Sequence, residues 1–303
     1  MAATVGSGKY TYEPIEDWAK VPDNWNAPMA AVTVDSQERV YGFNRGEHGI
    51  IVFDKDGNYL SDWGVTEFAF PHAIYADPSD NIWIVDRNNQ QIYKYTSDGT
   101  LLMTIGEKGY RSNTGADNTD FGSNGYKEVT QGAEPFNMPA GIAVAPSGEI
   151  FISDGYANCR VHKFSSEGEL LKSWGDPGDG PGQFMLPHGA WIDSKGRLLI
   201  ADRENDRVQV FSQDGEFLMQ WPTKLIGPAV VWEDGDGICY VAEHNGGLFS
   251  VLTVEGELLA QWGSDNFRSC HGAAGDSDGN IYFVQPTSGE GSTGRRIVKY
   301  VRQ

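Results

Sequence analysis

Short apolar runs separated by polar turn clusters fill the chain, and the stretch 187–221 displays the pattern most fully. Residues 188–192, 198–201, 208–211 and 217–221 read as four strands. Between them stand Asp193-Ser194-Lys195-Gly196, the polar segment 202–206, and Gln213-Asp214-Gly215-Glu216. Branched and aromatic runs bounded by such clusters predict an antiparallel meander. A single four-stranded sheet cannot bury both of its faces, so copies must pack around it.

The copies are present. With the start of the first strand as reference, the residue fourteen later ends the second strand. This register pairs Ala30 with Asn44, His72 with Asp86, Ala140 with Asp154, His188 with Asp202, Ala229 with Glu243, and His271 with Gln285. The outer turns repeat as Asp56-Gly57, Asp98-Gly99, Glu167-Gly168, Asp214-Gly215 and Glu255-Gly256. The strands after them end in Trp63, Ile105, Trp174, Trp221 and Trp262. A repeat of about 40–45 residues with four strands predicts propeller blades. The sixth unit stops after its third strand, 297–301, and the run 10–12 is expected to supply the fourth. The fold class is therefore all-β: a six-bladed β-propeller, one domain over 1–303, closed by an N-terminal strand.

The reference position alternates Ala, His, Ala, His, Ala, His. First strands line a propeller's central channel, and equivalent positions lie at one height. Alternate blades are a third of a turn apart, so His72, His188 and His271 should converge on one axial point. Three imidazoles with an open fourth position describe catalytic zinc. A closed structural site would want a fourth protein ligand; Cys270 adjoins His271, but neighbouring strand residues point to opposite sides. The loops between second and third strands return to the same mouth, bringing Arg45, Arg87, Tyr156, Arg203 and His244. Arg45, Tyr156 and Arg203 are the candidates to meet a substrate. His48, His162 and His244 miss the reference position and are expected to be ordinary hydrogen-bonded histidines. Asp86, Asp154 and Asp202 are expected to fix turns through backbone N–H groups.

Residues 107–135 break the period with a polar insertion on the histidine side, expected to be a lid. Composition narrows the partners. The net charge of −19 and isoelectric point near 4.6 argue against nucleic acid and anionic membranes. No apolar run is long enough to span a bilayer. Three cysteines make no disulfide framework, and the first eight residues lack a signal-peptide pattern, so a cytoplasmic location is expected.

The repeats resemble NHL repeats, and the site resembles peptidyl-α-hydroxyglycine α-amidating lyases. The matching motifs are Arg45-Gly46-Glu47-His48, Pro71-His72, Ser153-Asp154-Gly155-Tyr156 with Asn158, Pro187-His188, and Ala201-Asp202-Arg203-Glu204-Asn205, with His271 completing the set. The resemblance implies zinc on His72, His188 and His271, Tyr156 as catalytic base, and Arg45 and Arg203 beside the substrate. The family carries an aspartate after its last zinc histidine, where it helps hold a structural calcium. Gly272 stands there, which puts calcium in question. The implied reaction cleaves a carbinolamide to an amide and an aldehyde such as glyoxylate, on a small molecule that can carry a carboxylate. A phenol ordinarily keeps its proton at neutral pH, so a nearby cation would have to favour the tyrosinate. The same three histidines would also suit a zinc hydrolase of lactones, esters or amides. A non-enzymatic NHL scaffold would explain the blades but not the histidines.

Overall fold

The structure is a computed structural model, and it describes residues 4–22, 25, 28–64, 68–116, 124–263, 269–284 and 297–303. Six sheets form a closed ring: the first strand of each blade packs against that of the next, and the sixth against the first. Five blades are consecutive four-stranded meanders. Their first strands are Met29–Val34, Pro71–Ala76, Pro139–Val144, Pro187–Ile192 and Pro228–Glu233. The sixth blade combines Gly272–Gly275, Ile281–Val284 and Val298–Arg302 with Tyr10–Ile15, and Val5–Ser7 adds an outermost fifth strand. The expected closure by an N-terminal strand is therefore present, with a closing strand longer than 10–12. The later strands expected in the fourth blade are also present to within a residue, at Leu198–Asp202, Arg207–Phe211 and Phe217–Gln220. Among the described residues there is no α-helix, only the one-turn 3-10 segments Gly125–Lys127 and Arg203–Asn205.

Second strands are buried along their whole length, because a neighbouring blade covers each face; Ile82–Asp86, Ile150–Asp154 and Leu198–Asp202 show this. Such strands carry continuous apolar runs, whereas the outer strands Tyr59–Trp63 and Leu170–Trp174 begin exposed. The two sequence repeats of the outer edge belong together. Gly99, Gly168, Gly215 and Gly256 take positive φ in their turns, and each lies against the residue that ends the preceding blade's outer strand: Ile105 for Gly168, and Trp63, Trp174 and Trp221 for the others. A Cβ there would be strained and would meet that side chain. Gly57 of the first blade lies instead against Trp18, which follows the closing strand and so occupies the corresponding place for the sixth blade.

Five of the hairpins that join first and second strands carry one further repeat. Asp35, Asp77, Asp193, Asp234 and Asp276 each accept backbone N–H bonds from residues two and four further on. Four of them also accept a bond from a buried aromatic on the second strand: Tyr41, Trp83, Tyr240 and Tyr282.

Candidate metal centre and mouth

In five of the six blades the reference position is a β-bulge; His271 instead lies just ahead of its strand. Strand pairing slips at Ala30, His72, Ala140 and Ala229, and across His188 and Gly189. A bulge re-aims a side chain and leaves its own residue outside the ladder. Two effects follow. The histidine rings turn into the channel, and the alanine carbonyls become free to accept. Nδ1–H of His72 donates to the Ala140 carbonyl at 2.6 Å, that of His188 to Ala229 at 2.7 Å, and that of His271 to Ala30 at 3.0 Å. A carbonyl only accepts, so each Nδ1 carries the hydrogen and each Nε2 presents its lone pair. The alternation of His and Ala is thus a reciprocal arrangement, each histidine oriented by the alanine of the next blade.

The three histidines are buried, and one ligand atom from each lies within 4.8 Å of the other two; among the described residues this is the one such group. Burial, joined by like charge from neighbouring histidines and arginines, holds all three well below the ordinary imidazole value. They are neutral, as metal ligation requires. Nε2 of His72 is buried without a hydrogen-bond partner, which a metal ion would satisfy. The residues present therefore fit a metal ion with three imidazole ligands. Cys270 is buried outside this group, and burial pushes its thiol well above the usual range.

Four second strands end in a buried acid, two of them beside a histidine (Asp86 and Asp202) and two beside an alanine (Asp154 and Glu243). Asp86 accepts the N–H groups of Ala69 and Phe70, Asp154 that of Asn137, Asp202 those of Met185 and Leu186, and Glu243 that of Ile226. These acids hold the chain entering the first strand, whereas the sequence pattern led to the expectation that Asp86, Asp154 and Asp202 fix the turn after the second. They anchor the backbone just ahead of each bulge.

Tyr156, Arg87 and Arg203 are buried at the mouth and Arg45 is partly so. The hydroxyl of Tyr156 lies 3.2 Å from Nε2 of His188, and Nη1 of Arg203 donates to its oxygen at 3.1 Å. Arg87 also bonds Tyr156 and packs on its ring, 4.6 Å from the centroid. Arg203 donates to Glu204 at 2.9 Å; burial opposes its charge, but Tyr156 and Glu204 outweigh that and raise it. Burial lowers Arg45 to about 10, so it remains a cation at neutral pH. Its Nε donates to the Pro71 carbonyl at 3.1 Å. The structure thus brings Tyr156, Arg45 and Arg203 together beside the histidines, and adds Arg87 and Glu204, which sequence reasoning left out of the site. The motif signal for Glu204 was present in its adjacency to Arg203.

The other histidines stand apart from the group. His162 is buried between Ser173 Oγ (2.7 Å) and Asp154 Oδ2 (3.3 Å). His48 bonds Asp62 at 2.8 Å and stacks on Trp25. His244 is nearer, its Nδ1–H donating to the Cys270 carbonyl and its ring 6.4 Å from that of His271. Of the insertion, 117–123 lie outside the described residues. Tyr126 donates to Glu204 at 3.3 Å, and Ala116 and Tyr126 pack on the cluster of Met138, Tyr156 and Leu186.

Below the histidines, away from the mouth, the channel opens into a cavity of about 160 Å³ walled by small residues such as Ala73, Gly189 and Ala273, with Tyr75, Trp191 and Trp232 further along. No carboxylate lines it. A Cβ at Gly272 would come within 2.7 Å of the Ala31 Cα and of Val284, so an acid is not accommodated there. A hard cation wants several oxygen ligands, carboxylates among them, and calcium does not fit this channel.

Comparison with known proteins agrees with the repeat and the propeller fold. The model of the NHL repeat matches 68–95, 136–164 and 184–211. NHL repeat-containing protein 3 of Homo sapiens is 33% identical over 226 residues, covering 70% of this chain and 60% of that protein. Peptidyl-alpha-hydroxyglycine alpha-amidating lyase 1 of Drosophila melanogaster is 32% identical over 204 residues, 63% of this chain and 34% of that protein. The chain thus spans less than two thirds of the length of these relatives. A solved streptogramin B lyase shares the fold at 17% identity, with a TM-score of 0.63 over 98% of this chain and 90% of that one. The chain is an NHL-repeat six-bladed β-propeller that resembles the peptidyl-α-hydroxyglycine α-amidating lyases.

Proposed function

We propose that this protein is a zinc-dependent lyase that cleaves the C–N bond of a small carbinolamide, giving an amide and an aldehyde such as glyoxylate. The observation that carries the reading is the position of the Tyr156 oxygen, within hydrogen-bond reach of both a ring histidine and Arg203. His72, His188 and His271 would hold the metal, which supplies Lewis-acid activation of an oxygen group when bound. Tyr156 takes the proton of the substrate hydroxyl. The electron pair left on that oxygen forms the new C=O bond, the C–N bond breaks, and the departing nitrogen takes up a proton to become the amide. Arg203, held by Glu204, keeps the Tyr156 oxygen in place. A substrate carboxylate meets the arginines of the mouth. Tyr126 of the insertion reaches the site through its bond to Glu204.

Turnover in oxygen-18 water tests the reaction type. Lyase cleavage makes the carbonyl from the substrate's own hydroxyl, so early aldehyde is unlabelled before exchange. Prompt label in a carboxylate product would instead establish hydrolysis of a lactone, ester or amide at the same site.

A further inference from the structure

The channel has two ends, and Tyr156 with its arginines occupies one of them. The cavity of about 160 Å³ on the other side of the histidines takes no part in the chemistry at the mouth. His72, His188 and His271 form its roof. The third position after the reference residue carries Tyr75, Trp191 and Trp232 in the second, fourth and fifth blades, against Thr33, Ala143 and Ala274 in the others. At the rise of a strand these aromatics stand roughly 10 Å below the histidines. Tyr75 and Trp191 come from blades that are not neighbours, so they meet across the channel, edge to face with ring centroids 5.9 Å apart. Trp232 sits at the wall beside them, its Nε1 within 3.2 Å of where a Cβ on Gly275 would lie. The aromatics thus floor a chamber whose walls are small residues.

The chamber has a definite chemistry. No carboxylate, lysine or arginine lines it, so an ion entering it would be left uncompensated. The Tyr75 hydroxyl makes no hydrogen bond among the described residues. Burial, then Asp77, pushes that phenol up to about 12, so it is a neutral donor. Tyr75 and Trp191 remain partly exposed, which makes their end of the channel the entrance. Apolar cavities of about this size take up molecules as large as benzene.

We propose that the chamber beneath the histidines is a second ligand site, which takes a neutral molecule of one aromatic ring bearing a carbonyl oxygen. The ring lies against Trp191 and Trp232, and the oxygen accepts from Tyr75. The site fills the part of the channel that does not suit calcium, and it does not depend on the reaction at the mouth.

Binding of acetophenone and of toluene to the metal-loaded protein is measured by calorimetry. Acetophenone carries the carbonyl; toluene has the ring alone and cannot ligate a metal. Acetophenone should bind with a Kd of about 1 mM or tighter, the scale set by burying one aromatic ring. Toluene should bind several-fold more weakly, and both should show the negative heat-capacity change of apolar burial. Ala73→Leu places a branched side chain in the chamber and should abolish both while metal content stays at the wild-type value. Tyr75→Phe keeps the ring and protects the fold; it should weaken acetophenone about three- to tenfold and leave toluene unchanged. Failure of the wild type to bind either probe, or binding that survives Ala73→Leu, overturns the site. Equal binding of both probes by the wild type overturns the role of Tyr75. Displacement of acetophenone by millimolar calcium would show that the chamber takes a cation and would also overturn the assignment.

Discussion

At the residue scale, one oxygen atom connects the metal centre to the arginines. With Nδ1–H of His188 committed to Ala229, its Nε2 offers a single lone pair, 3.2 Å from the Tyr156 oxygen, and Arg203 donates to that oxygen. A metal on Nε2 would take that lone pair and leave the phenol oxygen beside it, held from the mouth side by Arg203. Tyr156→Phe removes that oxygen and leaves the ring between Arg87 and Arg203. The variant should keep its metal and its melting temperature, and kcat on a carbinolamide should fall by roughly 10²–10⁴, the range for a lost general base. His188→Ala should instead release the metal, measured by elemental analysis at equal protein concentration. A Tyr156→Phe enzyme with near wild-type kcat would remove the tyrosine from the chemistry. The three histidines were legible in the sequence because alternate repeats changed identity at one register position. Arg87 was visible in the same loop series, but the pattern singled out Arg45, Tyr156 and Arg203 and carried no signal that Arg87 packs on Tyr156.

At the element scale, the bulge and the hairpin aspartate decide how each blade delivers its residues. The bulge was not readable, because a run such as Pro71-His72-Ala73 looks the same whether it pairs evenly or slips; the slip depends on the partner strand. The hairpin aspartates repeat in the sequence, but their bonds to Tyr41, Tyr240 and Tyr282 appear only when both strands are folded. These phenols carry a pH signature. Burial, reinforced by the aspartates, raises all three above the ordinary tyrosine value of 10. The folded values exceed the unfolded ones, so the contribution to stability is complete below pH 10 and is lost as pH rises beyond it. Each group changes stability by up to about 1.4 kcal/mol per pH unit in that window. Melting temperatures should therefore hold steady from pH 8 to 9.5 and fall between pH 10 and 11.5. Tyr282→Phe lowers stability at pH 8 by roughly 1 kcal/mol, the net value of the lost hydrogen bond, and should flatten the alkaline fall. An unchanged slope in that variant would mean that other groups govern alkaline unfolding.

For the whole molecule, the ring is a continuous cycle of sheets closed by a strand from the opposite end of the chain. Tyr10–Ile15 pairs with Val298–Arg302, in the register Tyr12 to Arg302 through Ile15 to Lys299. Tyr12 is fully buried and stacks on Trp262 of the fifth blade at 5.2 Å, so the closing strand ties the sixth blade to the fifth. Trp18 then packs against Phe53 of the first blade and Tyr282 of the sixth, carrying the closure across the remaining seam. The need for this strand was legible from a repeat that runs out after three strands; its length was not, because Glu13 and Pro14 interrupt the run before Ile15. Removing residues 1–15 would leave Val298–Arg302 as an unpaired edge beside an uncovered Trp262, and exposed edges recruit other chains. The truncated protein should melt at markedly lower temperature and associate as its concentration rises, measured by scanning calorimetry and light scattering. Loss of Tyr12 alone, as Tyr12→Ala, should cost about 3–5 kcal/mol, the range for emptying a large aromatic site. A synthetic peptide of residues 4–16 added to the truncated protein should restore both the melt and the monomer, because the vacant edge offers the backbone pairing the strand supplies. A truncated protein that melts like the full chain, or a peptide that restores nothing, would show that the ring is held by contacts between first strands and not by this closure.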